Sequence, residues 1–258
     1  MLIVRDSQVK KLFYKEQEID KILDWKGNVV FEKESGGGGM TNTIKFTTSP
    51  SVASENNVQV TYADSTQDTV SYSEPSKEYS LSIPTDKVVT KIDFDNTMVD
   101  EVKVSCKINL SNTFFTNKPK TIRILNCDST SSTSLANLFS GVTNIETIEM
   151  KDLDARNATD MSKMFEGCRS LTSLTLSNFD TSKVTDMNGM FGDASSLANL
   201  DVSNWDTRKV GDMYAMFYNA SRLTSLDVSN WDTSNVPDLQ GMFKGANSLA
   251  LIVNGDKF

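Results

Sequence analysis

The 258-residue chain contains no histidine, only three cysteines and no long apolar run. Without histidine the commonest general base near neutral pH and the commonest metal ligand are missing, so imidazole triads and histidine-bearing zinc sites are excluded. Cys106, Cys127 and Cys168 are odd in number and far apart, which fits neither a disulfide framework nor a paired-cysteine metal site. They read as small buried thiols. No stretch of about 18 apolar residues is present for a membrane-spanning helix. The opening segment MLIVRDSQVKK meets charge too early to read as a secretory leader, so the sequence predicts a chain that stays in the cytoplasm or leaves it by lysis. No segment is basic: residues 1–35 are neutral, 40–120 carry −2 and 121–258 carry −6, within a total of −8. A phosphate-neutralising surface for nucleic acid is therefore not expected. GxSxG, phosphate-loop and HExxH patterns are also missing. The expectation is a non-enzyme with no cofactor and no metal.

What the chain does contain is a repeat. Leu171, Leu197, Leu223 and Leu249 recur every 26 residues, as do Phe139, Phe165, Phe191, Phe217 and Phe243. LTSLTLSNFDTSKVTDMNGMFGDASS, LANLDVSNWDTRKVGDMYAMFYNASR and LTSLDVSNWDTSNVPDLQGMFKGANS are near copies. Weaker copies begin at Ile145 and Thr121, and LALIVNGDKF is a partial one. A period of this length marks a solenoid whose units bury their apolar faces only by stacking on one another. Within a unit, Leu197, Leu200 and Val202 have a strand-like spacing. Val210, Met213, Met216 and Phe217 lie at i, i+3, i+6 and i+7, which predicts a short helix. The fold class expected is β-rich α+β, ending in a leucine-rich-repeat-type solenoid of about five strand-turn-helix units.

Two columns call for partners. Asp180, Asp206 and Asp232 would stack as like charges, so each needs a local donor, most naturally backbone N–H groups at the turn and helix start. A calcium ladder is the rival reading. The column Cys127, Leu153, Phe179, Trp205, Trp231 stays apolar while changing size, as a core position does; an exposed aromatic platform is the alternative. The methionines at 161, 164, 187, 190, 213, 216 and 242 read as core.

At these residues the motif LDVSNWDTSxVxDMxxMFxxAxSL resembles the 26-residue bacterial surface-protein repeat, a BspA-like branch of the leucine-rich repeats, over residues 121–258. The resemblance implies a solenoid that binds host or matrix molecules. Two surfaces are candidates. Asn199, Asp201 and Asp227 belong to a polar, hydroxyl-lined strand face suited to carbohydrate or a polar protein patch. Tyr214 and Tyr218, four residues apart and near Arg208 and Arg222, would line the helix side.

Four segments are expected: an N-terminal anchoring segment at 1–34, a Gly-rich hinge at 35–39, a β-sandwich-like domain at 40–117 and the solenoid at 118–258. Residues 40–115 alternate as strands do, with Val58, Val60 and Tyr62 on one face. SNTFF at 111–115 reads as a decayed helix of a capping unit. In the first segment Lys26-Gly27-Asn28 suggests a hairpin turn, while a helix over 8–25 stays open. The stretch KKLFYKEQEIDKILDWKGNVVFEK resembles the N-terminal segments of virion-attached proteins of tailed bacteriophages, notably those of gut Bacteroidetes. That resemblance implies docking on a capsid or tail protein, often as a homotrimer, through Leu12, Phe13, Ile19, Ile22, Leu23, Trp25, Val29, Val30 and Phe31. The function expected is a virion structural and display protein, a fibre of head or tail assembled in the host cytoplasm. A bacterial cell-surface adhesin is the alternative.

Overall fold

The computed structural model describes residues 42–253, except 51, 53–55, 95–98, 113, 116–118 and 240, together with four short strands in the first 32 residues. The chain divides into two compact units, Met1–Gly39 and Met40–Phe258. In the first, β1 (Phe13–Tyr14) pairs antiparallel with β2 (Gln17–Glu18), and β3 (Lys21–Leu23) pairs antiparallel with β4 (Val29–Glu32). Ile22 lies opposite Phe31 and Leu23 opposite Val29, so strands, not a helix, occupy the described part of 8–25. Of the anchoring set, Leu12, Ile19 and Trp25 lie outside the described residues, as do Lys26-Gly27-Asn28 and the 35–39 linker.

The second unit begins with β5 (Thr43–Thr48), β6 (Asn56–Tyr62), β7 (Gln67–Tyr72), β8 (Glu78–Ser82), β9 (Val89–Phe94) and β10 (Val99–Ser105). Alternation decides their faces: Ile44, Phe46 and Thr48 are buried on β5, and Val58, Val60 and Tyr62 on β6. The order β7-β6-β9 makes one sheet. Strands β10-β5-β8 make half of another, and Phe46 meets Tyr72 edge-on at 5.5 Å between the two. That second sheet runs straight on into the repeats. Strand β10 pairs parallel with β11 (Thr121–Leu125), then β12 (Thr147–Lys151) and β13 (Ser173–Ser177) follow in parallel register 26 residues apart. Arg123 bonds Glu101 on one side (Nε to Oε1, 2.6 Å) and Glu149 on the other, lacing the seam between β10 and β12. Residues 198–202 are not a strand although Leu197, Leu200 and Val202 are buried. Pairing resumes between β14 (Ser225–Asp227) and β15 (Ala250–Ile252). The result is a β-solenoid of about five turns.

No helix is present among the described residues, so the strand-turn-helix unit is corrected to strand and turns. The reason lies in where the backbone N–H groups go. A helix needs every N–H to return to the carbonyl four residues back. Here alternate N–H groups leave for the next coil: Met161 to Asp186 O, Lys163 to Asn188 O, Phe165 to Met190 O and Gly167 to Gly192 O, at 2.7–2.9 Å. Those between close β-turns, as Met164 to Met161 O and Cys168 to Phe165 O. Such consecutive turns need left-handed residues, and positive φ recurs in two columns 26 residues apart: Asn137, Lys163, Gly189, Ala215, Gly241 and Gly141, Gly167, Asp193, Asn219, Gly245. The described residues of SNTFF, 111, 112, 114 and 115, are likewise not helical. Phe114 and Phe115 are buried, and Phe115 stacks on Phe139, 6.2 Å between ring centres, closing that end of the aromatic column.

Inside, the apolar columns expected to be core are core. Phe139, Phe165, Phe191, Phe217 and Phe243 stack at 5.3–5.6 Å with planes within 9°. Each such pair contributes about 0.5–1.5 kcal/mol beyond its buried area. Cys127, Leu153, Phe179, Trp205 and Trp231 are all 3% exposed or less, so this column is not an exposed aromatic platform. The seven methionines are buried, and the three cysteines are free and buried. Burial pushes the Cys127 thiol up to about 12, which leaves it a packing group rather than a nucleophile.

Candidate functional site

Three successive turns, at 178–181, 204–207 and 230–233, carry Asn-aromatic-Asp-Thr, and each residue has a distinct task. Thr181 and Thr207 are buried, and each trades two hydrogen bonds with the coil that follows. Thr181 Oγ1 donates to Asp206 O (3.1 Å) and accepts from Asp206 N (2.8 Å); Thr207 does the same with Asp232 (3.1 and 2.8 Å). The threonine clamps the backbone and leaves the aspartate side chain at the surface. There the carboxylates find the local donors that like-charge stacking requires. Asp180 Oδ1 accepts from Ser182 N (2.9 Å), Asp206 Oδ1 from Arg208 N (3.1 Å) and Asp232 Oδ1 from Ser234 N (3.0 Å). These donors belong to turns, not to a helix start.

Among the described residues, a pair of clefts on this surface occupies equivalent positions 52 residues apart. One, of about 410 Å³, is lined by Asp152, Leu153, Asp154, Ala155 and Arg156 with Asn178 and Asp180 of the next coil. The other, of about 320 Å³, is lined by Ser203, Asn204, Trp205, Asp206 and Arg208 with Asn230 and Asp232. Each holds an arginine clamped flat by its own aspartate. Arg156 Nε donates to Asp154 Oδ1 at 2.7 Å and Nη2 reaches Oδ2; Arg208 Nε and Nη2 donate to Asp206 Oδ1 and Oδ2 at 2.9 and 2.6 Å. The Arg208 guanidinium pulls the Asp206 carboxyl down to about 2, and Arg156 holds Asp154 below the usual carboxylate range. Asn178 Nδ2 donates to Asp152 Oδ1, and Asn230 Nδ2 to Ser203 O at 3.0 Å, fixing the amide walls. Among the described residues no group of three or more acidic or cysteine side chains is placed to hold a metal ion.

The residues singled out from sequence fall in different places. Arg208 is in the second cleft. Tyr214 and Tyr218 line neither cleft and stand on the turn segment instead of a helix. Tyr214 is 50% exposed and its ring edges toward Gly241, while Tyr218 lies under Lys244 Nζ, 5.9 Å from the ring centre. Arg222 and Asn199 are exposed. Asp201 and Asp227 each cap a following serine, with Ser203 Oγ and Ser229 Oγ at 2.7 and 2.6 Å, and the Ser229 bonds lower the Asp227 carboxyl. Arg156, Asp154 and Asn178 join the first cleft without standing among the binding residues the sequence points to. The signal for them was in the repeat frame: Thr130, Arg156, Ser182, Arg208 and Ser234 share one column, and arginine occupies two of its alternate coils.

No helix among the described residues is long and apolar enough to cross a membrane. No curated protein and no solved structure matches the chain. The family described as "Mycoplasma protein of unknown function, DUF285" matches residues 133–254, so the solenoid coils are similar to that family's repeat.

Proposed function

We propose that this chain is a non-enzymatic display protein, in which residues 1–34 dock onto a capsid or tail protein and the solenoid binds a host-surface protein or glycan. The observation that carries the binding reading is the recurrence of one polar cleft, with equivalent Arg–Asp pairs and amide walls, on two coils of a rigid stack. Catalytic sites are single constellations; a surface that repeats with the fold suits a ligand met at several points. Support for the anchor is the compact first unit with its paired strands over 13–32, together with the likeness of its sequence to virion attachment segments. A phage particle is the location that follows. The second reading, a bacterial cell-surface adhesin, is favoured by the match to a family described from Mycoplasma.

Mass spectrometry of density-purified particles beside envelope fractions of the source culture decides between the two. Stoichiometric peptides from 1–34 and from the coils in particles, lost when 1–34 is deleted, support the virion reading. Peptides confined to envelopes support the adhesin.

A further inference from the structure

The two clefts lie two coil steps apart, about 10 Å at roughly 4.8 Å per step. The coil between them carries Ser182 where its neighbours carry Arg156 and Arg208. Along the stack the surface therefore alternates: guanidinium, hydroxyl, guanidinium. Each arginine is 64% or 75% exposed on its side chain, yet is immobilised by two bonds to one aspartate. Those two bonds leave three of its five N–H donors outside the pair. Acidic groups outnumber basic ones in both clefts, with Asp152 and Asp180 beside the first pair and Asp232 beside the second. A polyanion is repelled there. Fixed donors, carboxylate acceptors and amides at a regular rise suit a neutral chain rich in hydroxyls.

Building on the display reading above, the geometry points to an extended β-1,4-linked neutral polysaccharide lying along the solenoid axis, one sugar per coil. In such a chain successive sugars are turned by about half a rotation, so the same hydroxyl edge returns on every second sugar. That is the interval at which the arginines return. The two clefts act together: a ligand spanning both gains the second contact as an intramolecular event, while a short one gains only one.

Titration calorimetry on the full chain tests this with hexamers of β-1,4-linked N-acetylglucosamine and of β-1,4-linked glucose, their dimers, and the α-1,4-linked glucose hexamer. The expected result is binding of a β-linked hexamer at least tenfold tighter than its dimer, and none of the α-linked hexamer. R156S and R208S place at each site the serine that Ser182 supplies on the coil between them, so the fold accommodates them, and a cooperative melting transition well above the assay temperature verifies it. Each weakens hexamer binding on the order of tenfold, the loss of one charge-assisted contact, and removes one of the two dimer sites. Full-strength hexamer binding by both variants overturns the inference. So does saturable binding of a lysine-rich peptide where no hexamer binds. If whole particles or cells bind the chain while no β-linked hexamer does, the glycan assignment fails and the display reading stands. If hexamers bind but the chain resides on neither particles nor envelopes, the display reading fails and the glycan site stands.

Discussion

Trp205 and Trp231 stack with ring centres 6.3 Å apart and planes 4° from parallel, yet only Trp231 finds an acceptor: its Nε1 donates to Val202 O at 3.1 Å. The Nε1 of Trp205 is buried and has no acceptor among the described residues. Two side chains in one column of one repeat thus differ by a hydrogen bond. Val202 O keeps the Trp205 backbone N–H at 3.2 Å, so losing the Trp231 bond costs about 0.5–1.5 kcal/mol, whereas removing the unsatisfied Trp205 donor relieves a penalty. Trp231→Phe is expected to destabilise the solenoid by about 1–2 kcal/mol more than Trp205→Phe, the cavity left being the same. Urea denaturation of the two variants measures the difference.

The left-handed columns lead to an ordering among glycines. A Cβ on Gly245, at φ +83°, would lie 2.2 Å from Asn219 Oδ1, and that amide is held by its bond to Asp193 Oδ1 at 2.9 Å. On Gly167, at φ +71°, the nearest atom would be 3.5 Å away. Gly167→Ala is expected to cost about 1 kcal/mol from backbone strain alone, and Gly245→Ala about 2–3 kcal/mol because a clash is added. Chemical denaturation of both variants tests the order; equal losses contradict it.

Asp186 supplies the pH dependence. Burial raises its carboxyl, and the carboxylates of Asp160 and Asp212 in the flanking coils push the same way, against the Asn188 N–H it accepts at 2.8 Å. A folded-state value above the unfolded one means the native protein binds the extra proton. Stability from this group therefore falls as pH rises through the folded value, and the penalty persists at neutrality. Asp186→Asn keeps the acceptor and removes the charge. It is expected to raise Tm at pH 7, with the gain vanishing below about pH 4, where aspartate is protonated in both states. A gain that persists at low pH contradicts this account. Asp206 has the opposite sign: its lowered value contributes stability above the ordinary carboxylate range, lost as pH falls toward about 2.

Stacking also makes the coils unequal. Phe191 is fully buried, with Phe165, Phe217 and Trp205 around it, while Phe243 in the last coil is only partly covered. Phe191→Ala is expected to cost about 3–5 kcal/mol and Phe243→Ala about half as much. Calorimetric melting of the two variants reads the gradient.

Much of this architecture was legible residue by residue. The 26-residue spacing of Phe139 to Phe243 set the coil and its core columns, because an apolar residue recurring at one phase of a stack has only its own copies to pack against. The stripe Val210, Met213, Met216 and Phe217 does not form the helix its spacing predicts, since apolar spacing of three and four marks a buried face without specifying the backbone beneath it. The contrary signal lay two residues past each stacked phenylalanine, at Gly141, Gly167, Asp193, Asn219 and Gly245: residues suited to positive φ, which a helix interior does not use. The cleft was half legible. The sequence points to Arg208, but beside tyrosines it does not join, because pairing through a turn depends on which way the backbone leaves it.

By itself, then, the sequence determined the repeat length, the number of coils, the buried columns and the acidic, histidine-free surface, since each follows from residue type and period. Only the tertiary structure decided that the N–H groups of the Met-Phe segment leave for the next coil, in which register β10 pairs with β11, and that Arg156 and Arg208 stand in matching clefts. The physical reason is shared. Each of these depends on a partner 20 to 52 residues away along the chain, and stacking alone brings that partner within a hydrogen bond or one ligand's length.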